Sequence, residues 1–243
     1  MTAPFEFCLR LGDTDLILSQ RLGEWCGHGP VLEEDLALAN VALDLLGQAR
    51  LWLTLAGERE GCGRSEDQLA YLRDAGAFRN LLLVEQPNGD YAHTMTRQFF
   101  FDAWHLPLLE TLGSSSDAAI AAIAAKASRE AAYHLRRSRD WIIRLGDGTE
   151  ESHRRMETAI AALWPLTGEM FAADAVDSSV IDLEALRPRW QSEIESTFAH
   201  ATLAVPSDAW MQHGGKQGVH TEKLGTLLAE MQFLQRAYPG AQW

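Results

Sequence analysis

The chain has 243 residues, with 21 Lys and Arg against 34 Asp and Glu, a formal charge of −13, and 47% hydrophobic residues. That balance argues against a nucleic-acid or anionic-membrane surface, because a phosphate-binding face needs net Lys and Arg. The length suffices for a core built as one large domain or two small ones, and a single domain is expected.

Abundant Ala and Leu with only 8 prolines point to helix. Cys8, Cys26 and Cys62 form no CxxC pair, which predicts reduced thiols and a cytoplasmic setting. The opening MTAPFEFCLRLGDTD meets acid by Glu6, unlike a signal peptide. No uninterrupted apolar run reaches the roughly 18 residues expected of a membrane span.

Helical spacing of apolar residues predicts a first helix from about Phe5 to Trp25, closed by CGHGP, and a second from about Leu32 to Glu60, stopped by GCG. A short helix near Asp67 to Arg73 leads into NLLLVEQPNGD, which ends in an Asn-Gly turn. The third long helix, DYAHTMTRQFFFDAWHLPLLETLG, should kink before Pro107. A fourth should run from a cap at Ser116 or Asp117 to Leu145. Further helices are expected from Thr149 to Phe171 with a kink at Pro165, from Asp182 to Leu203, and from Thr221 to Tyr238. Short connections favour antiparallel neighbours, so the expected fold is all-α, a four-helix bundle with additional packed helices.

Polar residues interrupt positions that such a bundle should bury. Asp44 and Gln48 lie one turn apart in the second helix, and Asp102 and His105 follow the run Phe99–Phe101 in the third. Lys126, Glu130 and His134 stand at i, i+4 and i+8 in the fourth, and the first helix offers Gln20. Singly, each is as readily an exposed or satisfied core residue. Their coincidence on four helices suggests one internal network, because ungrouped buried charges each cost several kcal/mol.

A di-iron carboxylate centre wants a Glu from each of two helices and Glu-x-x-His from each of the others. Here Asp44 is followed by Gly47, and Glu130 and His134 are never at i, i+3. Lys126 would also repel a metal. The outline of a di-metal site is present without its ligand set, and Lys126 is expected inside the bundle as a counter-charge to Glu130 or Asp44.

The runs LRLGDTDLILSQRLGEWCGHGPVLEEDLALANVALDLLGQAR, NLLLVEQPNGD, RQFFFDAWH, AKASREAAYHLRRS and HGGKQGVHTEKLGTLLAEMQFLQRAYPGAQW resemble the C subunits of bacterial phenylacetyl-CoA epoxidases (ring-1,2-phenylacetyl-CoA monooxygenases). The likeness extends from about Leu9 to Trp243. It implies a ferritin-like fold and a structural role beside a homologous catalytic A subunit that carries di-iron. It further implies a small bridging B subunit and a reductase with flavin and iron–sulfur groups fed by NADPH.

The resemblance also implies a depleted ligand set. Gln20 stands where the first glutamate belongs, Asp44 and Gly47 replace one Glu-x-x-His pair, and Ala131 with His134 replaces the other. Asp44, Asp102 and His134 remain as acceptable ligands. No cofactor or metal is therefore expected in this chain. The alternatives are an autonomous di-metal oxygenase with an atypical ligand set and a stand-alone acyl-CoA-binding protein.

Two further features invite a function. The loop HGGKQGVH could hold a phosphate of coenzyme A through Gly214, Gly215, Lys216 and His220, although a flexible connector or subunit contact is the plainer reading. Eight tryptophans, with the C-terminal YPGAQW, suggest apolar surface for a partner.

Overall fold

The computed structural model describes residues 3–207 and 210–241, and the C-terminal Gln242 and Trp243 of YPGAQW lie outside the described residues. The described chain is all-α, without a strand. It divides into two compact units, Met1–Pro87 with Gly214–Trp243, and Asn88–His213.

The first unit holds α1 (Ala3–Gly23), α2 (Leu32–Glu60), α3 (Glu66–Tyr71), α9 (Glu222–Met231) and α10 (Phe233–Ala237). α1 and α2 pack lengthwise and antiparallel. Ser19 donates to the Ala42 carbonyl at 2.7 Å, and eleven residues further along α2, Leu53 reaches Gly12. A Cβ at Gly12 would sit 2.7 Å from Leu53 Cδ2, so glycine is what permits this approach. α2 starts with Glu33, Glu34 and Asp35 at its positive end and stops at Gly61, which adopts φ 71° and donates to the Gly57 carbonyl.

An 18-residue window of α2 averages a hydropathy of 1.2, enough by length and composition to cross a membrane, against the sequence expectation. With 44% of that window buried in the fold, it behaves as a core helix with one apolar side turned outward.

The second unit holds α4 (Tyr91–Leu112), α5 (Ala118–Gly146), α6 (Glu150–Leu163), α7 (Ala175–Ser178) and α8 (Arg187–His200). Asp90, Asp117 and Thr149 cap α4, α5 and α6 through side-chain oxygens that accept backbone N–H groups. α4 is buried on nearly every side. Phe100 sits 5.6 Å from Trp164 and 6.1 Å from Trp190, whose indole donates to the Phe100 carbonyl. Trp104 donates to the Met170 carbonyl. With Trp52 in the first unit, four tryptophans among the described residues are thus buried.

Three expected helices are shorter than their apolar pattern, and α8, expected from Asp182 to Leu203, spans Arg187–His200. α6 ends at Leu163 instead of kinking, and 3₁₀ turns at Trp164–Leu166 and Gly168–Met170 replace its continuation. Pro165 lacks the N–H that another α turn needs. α4, by contrast, runs through Pro107. The last helix breaks at Gln232, whose side-chain amide donates to the carbonyls of Ala70 and Arg73 at 2.9 and 3.0 Å.

α1 carries charge into the first unit. Asp13, fully buried, accepts both guanidinium nitrogens of Arg73 and the Arg79 backbone N–H. Arg73 also donates to the Ala77 carbonyl and lies 4.3 Å over the Phe78 ring. Replacing Asp13 by Asn should strand a buried guanidinium and cost about 3–5 kcal/mol. Urea denaturation of the full chain measures this, and a loss below about 1 kcal/mol would show the guanidinium to be solvated.

Candidate functional site

The polar residues expected to form one network fall into separate local settings. In the second unit, α4 presents Gln98, Asp102 and His105 at i, i+4 and i+7, hence on one face. α5 presents His134 and Ser138, again at i and i+4. All five side chains are buried.

Gln98 Nε2 donates to Asp102 Oδ1 at 2.7 Å, and Ser138 Oγ donates to Asp102 Oδ2 at 2.8 Å. Both carboxylate oxygens are therefore engaged by neutral donors of the same unit. Burial pushes the Asp102 carboxyl up to about 6, against the opposing pull of His134, the two hydrogen bonds and the Arg137 charge. Burial also pushes His105 down to about 3, helped by repulsion from His134. Its ring lies 4.6 Å from Phe101 and stacks on Trp104 at 6.2 Å. His105 is a neutral ring inside an aromatic wall.

Gln98 and Ser138 were not among the sequence candidates. Both were within reach of the same periodicity, since each lies one helical turn from a candidate, Gln98 before Asp102 and Ser138 after His134.

Lys126 is where expectation fails. It is exposed, and Glu130 is half-buried. The buried stripe of α5 runs through Ala124, Ala127, Ala131, His134 and Ser138. A step of i+8 overshoots two turns by roughly 80° at 3.6 residues per turn. Residues 126 and 134 therefore cannot share a narrow face. Lys126 is no internal counter-charge.

In the first unit Gln48 is buried on α2, while Gln20 and Asp44 are half-buried. The first residues of the 214–220 loop are packed into the first unit and do not form an open cradle. Gly214, Gly215 and Lys216 are buried, and a Cβ at Gly215 would lie 2.2 Å from the Asn80 carbonyl oxygen.

His220 faces inward as well. Its Nδ1 is 2.8 Å from a carboxylate oxygen of Glu85, and Nε2 is 3.0 Å from the Phe78 carbonyl oxygen. Both ring nitrogens therefore have an oxygen partner, one of them on the fully buried Glu85 side chain. Asn80 and the Thr221 N–H complete the Glu85 carboxylate. The glycines and histidine fasten the loop to the core.

Among the described residues, no group of three or more His, Cys, Asp or Glu side chains could hold a metal ion. Asp102, the carboxylate nearest to a ligand role, directs its oxygens at Gln98 and Ser138 instead. These residues do not fit a di-iron centre.

An all-α chain whose long helices pair and bury a carboxylate between them has the architecture of ferritin-like proteins. More particularly, the chain belongs to the phenylacetic acid catabolic protein family, whose sequence profile matches residues 1–243 and whose fold is ferritin-like. It is similar to the C subunit of the 1,2-phenylacetyl-CoA epoxidase of Escherichia coli (strain K12), with 54% identity over 243 residues, 98% of this chain and 98% of that relative.

Asp102 and His105 give opposite pH signatures. The folded chain keeps the Asp102 proton up to about pH 6 while the unfolded chain releases it near 3.8, so this term weakens the fold as pH rises between them. The unfolded chain protonates His105 near 6.5 and the folded chain only near 3, so this term strengthens the fold as pH rises. Asp102→Asn should therefore gain up to about 3 kcal/mol relative to wild type from pH 4 to 6. His105→Gln should lose relative stability over the same range. Urea titrations at stepped pH check this, and curves parallel to wild type would refute both assignments.

Proposed function

We propose that this chain is a non-catalytic, structural subunit of a multicomponent 1,2-phenylacetyl-CoA epoxidase that acts in aerobic phenylacetate breakdown. A homologous subunit would carry the di-iron centre and perform the oxygen chemistry on the phenylacetyl-CoA ring. A small bridging subunit and an NADPH-dependent flavin and iron–sulfur reductase complete the assembly, in the cytoplasm.

The observation that carries this reading is the state of Asp102. Each oxygen of Asp102 already accepts one hydrogen bond, from Gln98 or Ser138, and these donors orient the carboxylate between α4 and α5. Gly47 and Ala131, at positions where the family pattern has ligands, offer no donor atom in their side chains. The printed name of the relative at 54% identity supports the assignment to an epoxidase. An autonomous oxygenase finds no ligand set among the described residues, and acyl-CoA capture by the 214–220 loop finds its lysine buried.

The test is to purify the chain alone, measure its metals by mass spectrometry, and then add it to the catalytic subunit. We expect well under one iron or manganese per chain, no oxygen consumption by the chain alone, and a stable complex that supports epoxidation by its partner. About two metals per chain with oxo-bridged di-iron absorption would overturn the proposal, and so would a catalytic subunit indifferent to the chain.

A further inference from the structure

α2 leaves a row of leucines in water. Leu32, Leu36 and Leu43 are 71%, 56% and 64% exposed, and Leu46 is 37% exposed. With Ala39 between them they recur at steps of three and four, which is one face of a helix. From Leu32 to Leu46 that face runs about 21 Å. Isolated exposed leucines are ordinary, but a contiguous row of this size marks an interaction surface.

The row ends in a groove. Leu43, Leu46 and Gly47 form one wall and Ala70 and Tyr71 of α3 the other, enclosing about 510 Å³. Arg50, paired with Glu66 at 3.3 Å, closes its end. Gly47 is exposed in mid-helix, and a Cβ built there would meet nothing within 4 Å. No contact inside the chain calls for glycine, the poorest helix former after proline. A bare backbone does let another helix come close.

Charge selects the occupant. Glu33, Glu34 and Asp35 crowd the first turn of α2, and Asp44 stands midway along it. A second copy would bring another −13 against the −13 of the first. The complement is an apolar helix face with Lys or Arg at its rim, opposite the first turn of α2.

We propose that the Leu32–Leu46 face of α2 is the docking surface for an amphipathic helix of the catalytic subunit. One apolar side chain of that helix seats in the groove between α2 and α3, and its basic rim meets Glu33. This inference rests on the reading of the chain as an epoxidase subunit. The leucine row supplies the apolar centre of a contact that, for a lasting assembly, covers about 800 Å² or more on each partner.

The experiment uses the full chain and the catalytic subunit, with affinity measured by interferometry and mass by light scattering. Leu36→Glu with Leu43→Glu alters only exposed positions, so circular dichroism should remain that of wild type, and affinity should fall at least about 100-fold, a hot-spot loss. The milder pair Leu36→Gln with Leu43→Gln replaces it if the charged pair misfolds. Leu234→Glu, exposed on α10, should change affinity less than about threefold, as surface substitutions elsewhere do. Glu33→Lys should slow association at low salt and lose that effect at high salt.

Unchanged affinity in the leucine pair would overturn the docking face while leaving the epoxidase reading intact. A chain that is dimeric alone, made monomeric by the pair with undiminished binding to the catalytic subunit, would assign the face to a second copy and overturn the inference too. Failure of the wild-type chain to bind any catalytic subunit would instead remove the reading beneath it.

Discussion

A helix buried on nearly every side keeps most of its charges out of water, and each unit contains one such helix. α1 buries Glu6, Arg10, Asp13, Asp15 and Arg21, and α4 buries Arg97, Asp102 and His105. An unpartnered ion in such a setting costs several kcal/mol, so these residues dictate what must lie beside them. In the first unit the segment after α3 turns its arginines inward, Arg73 to Asp13 and Arg79 to Glu6 at 2.8 Å. Arg21 donates to the Glu85 carbonyl at 2.8 Å, and the Glu85 carboxylate in turn holds Asn80, His220 and the Thr221 N–H. The segment that returns to this unit after residue 213 supplies two of the partners of that carboxylate, His220 and Thr221.

α4 solves the same problem with neutral donors, and the choice has chemical consequences. Arg73 keeps Asp13 beside a full positive charge. Asp102 has only an amide and a hydroxyl in contact, which stabilise an anion less than a guanidinium does. Its carboxyl therefore rises to about 6, and burial is the first cause. A carboxyl so placed tolerates a proton.

Most of the helices were legible because they are long and obey one period. The bounds of α2 coincide with those read from its apolar pattern, and α1 and α5 differ by a residue or two at each end. Three things were hidden. Pro165 and Pro107 look alike in sequence, yet one ends a helix and the other sits inside one, because tertiary packing decides whether the freed carbonyl can be tolerated. Gln232 breaks the last helix through carbonyls of Ala70 and Arg73, some 160 residues away in the chain. No local pattern announces such a partner. Lys126 falls off the buried face because eight residues exceed two full turns by about 80°.

The candidate site was half legible for the same reason. Asp102, His105 and His134 were identifiable as polar residues in apolar company, and they are buried together in the second unit. Their donors, Gln98 and Ser138, are ordinary residues whose role appears only when α4 and α5 are laid side by side. The Asp102–Ser138 bond joins those two helices across a largely apolar contact. Apolar surfaces can slide past one another by a turn with little loss, whereas moving this pair apart would strand a buried carboxylate. A buried polar pair of that kind therefore fixes the register of α4 against α5. The leucines of α2 obey the complementary rule. The interior tolerates polarity where donors meet it, and a long apolar row on the surface marks a place where contact with another molecule would be favourable.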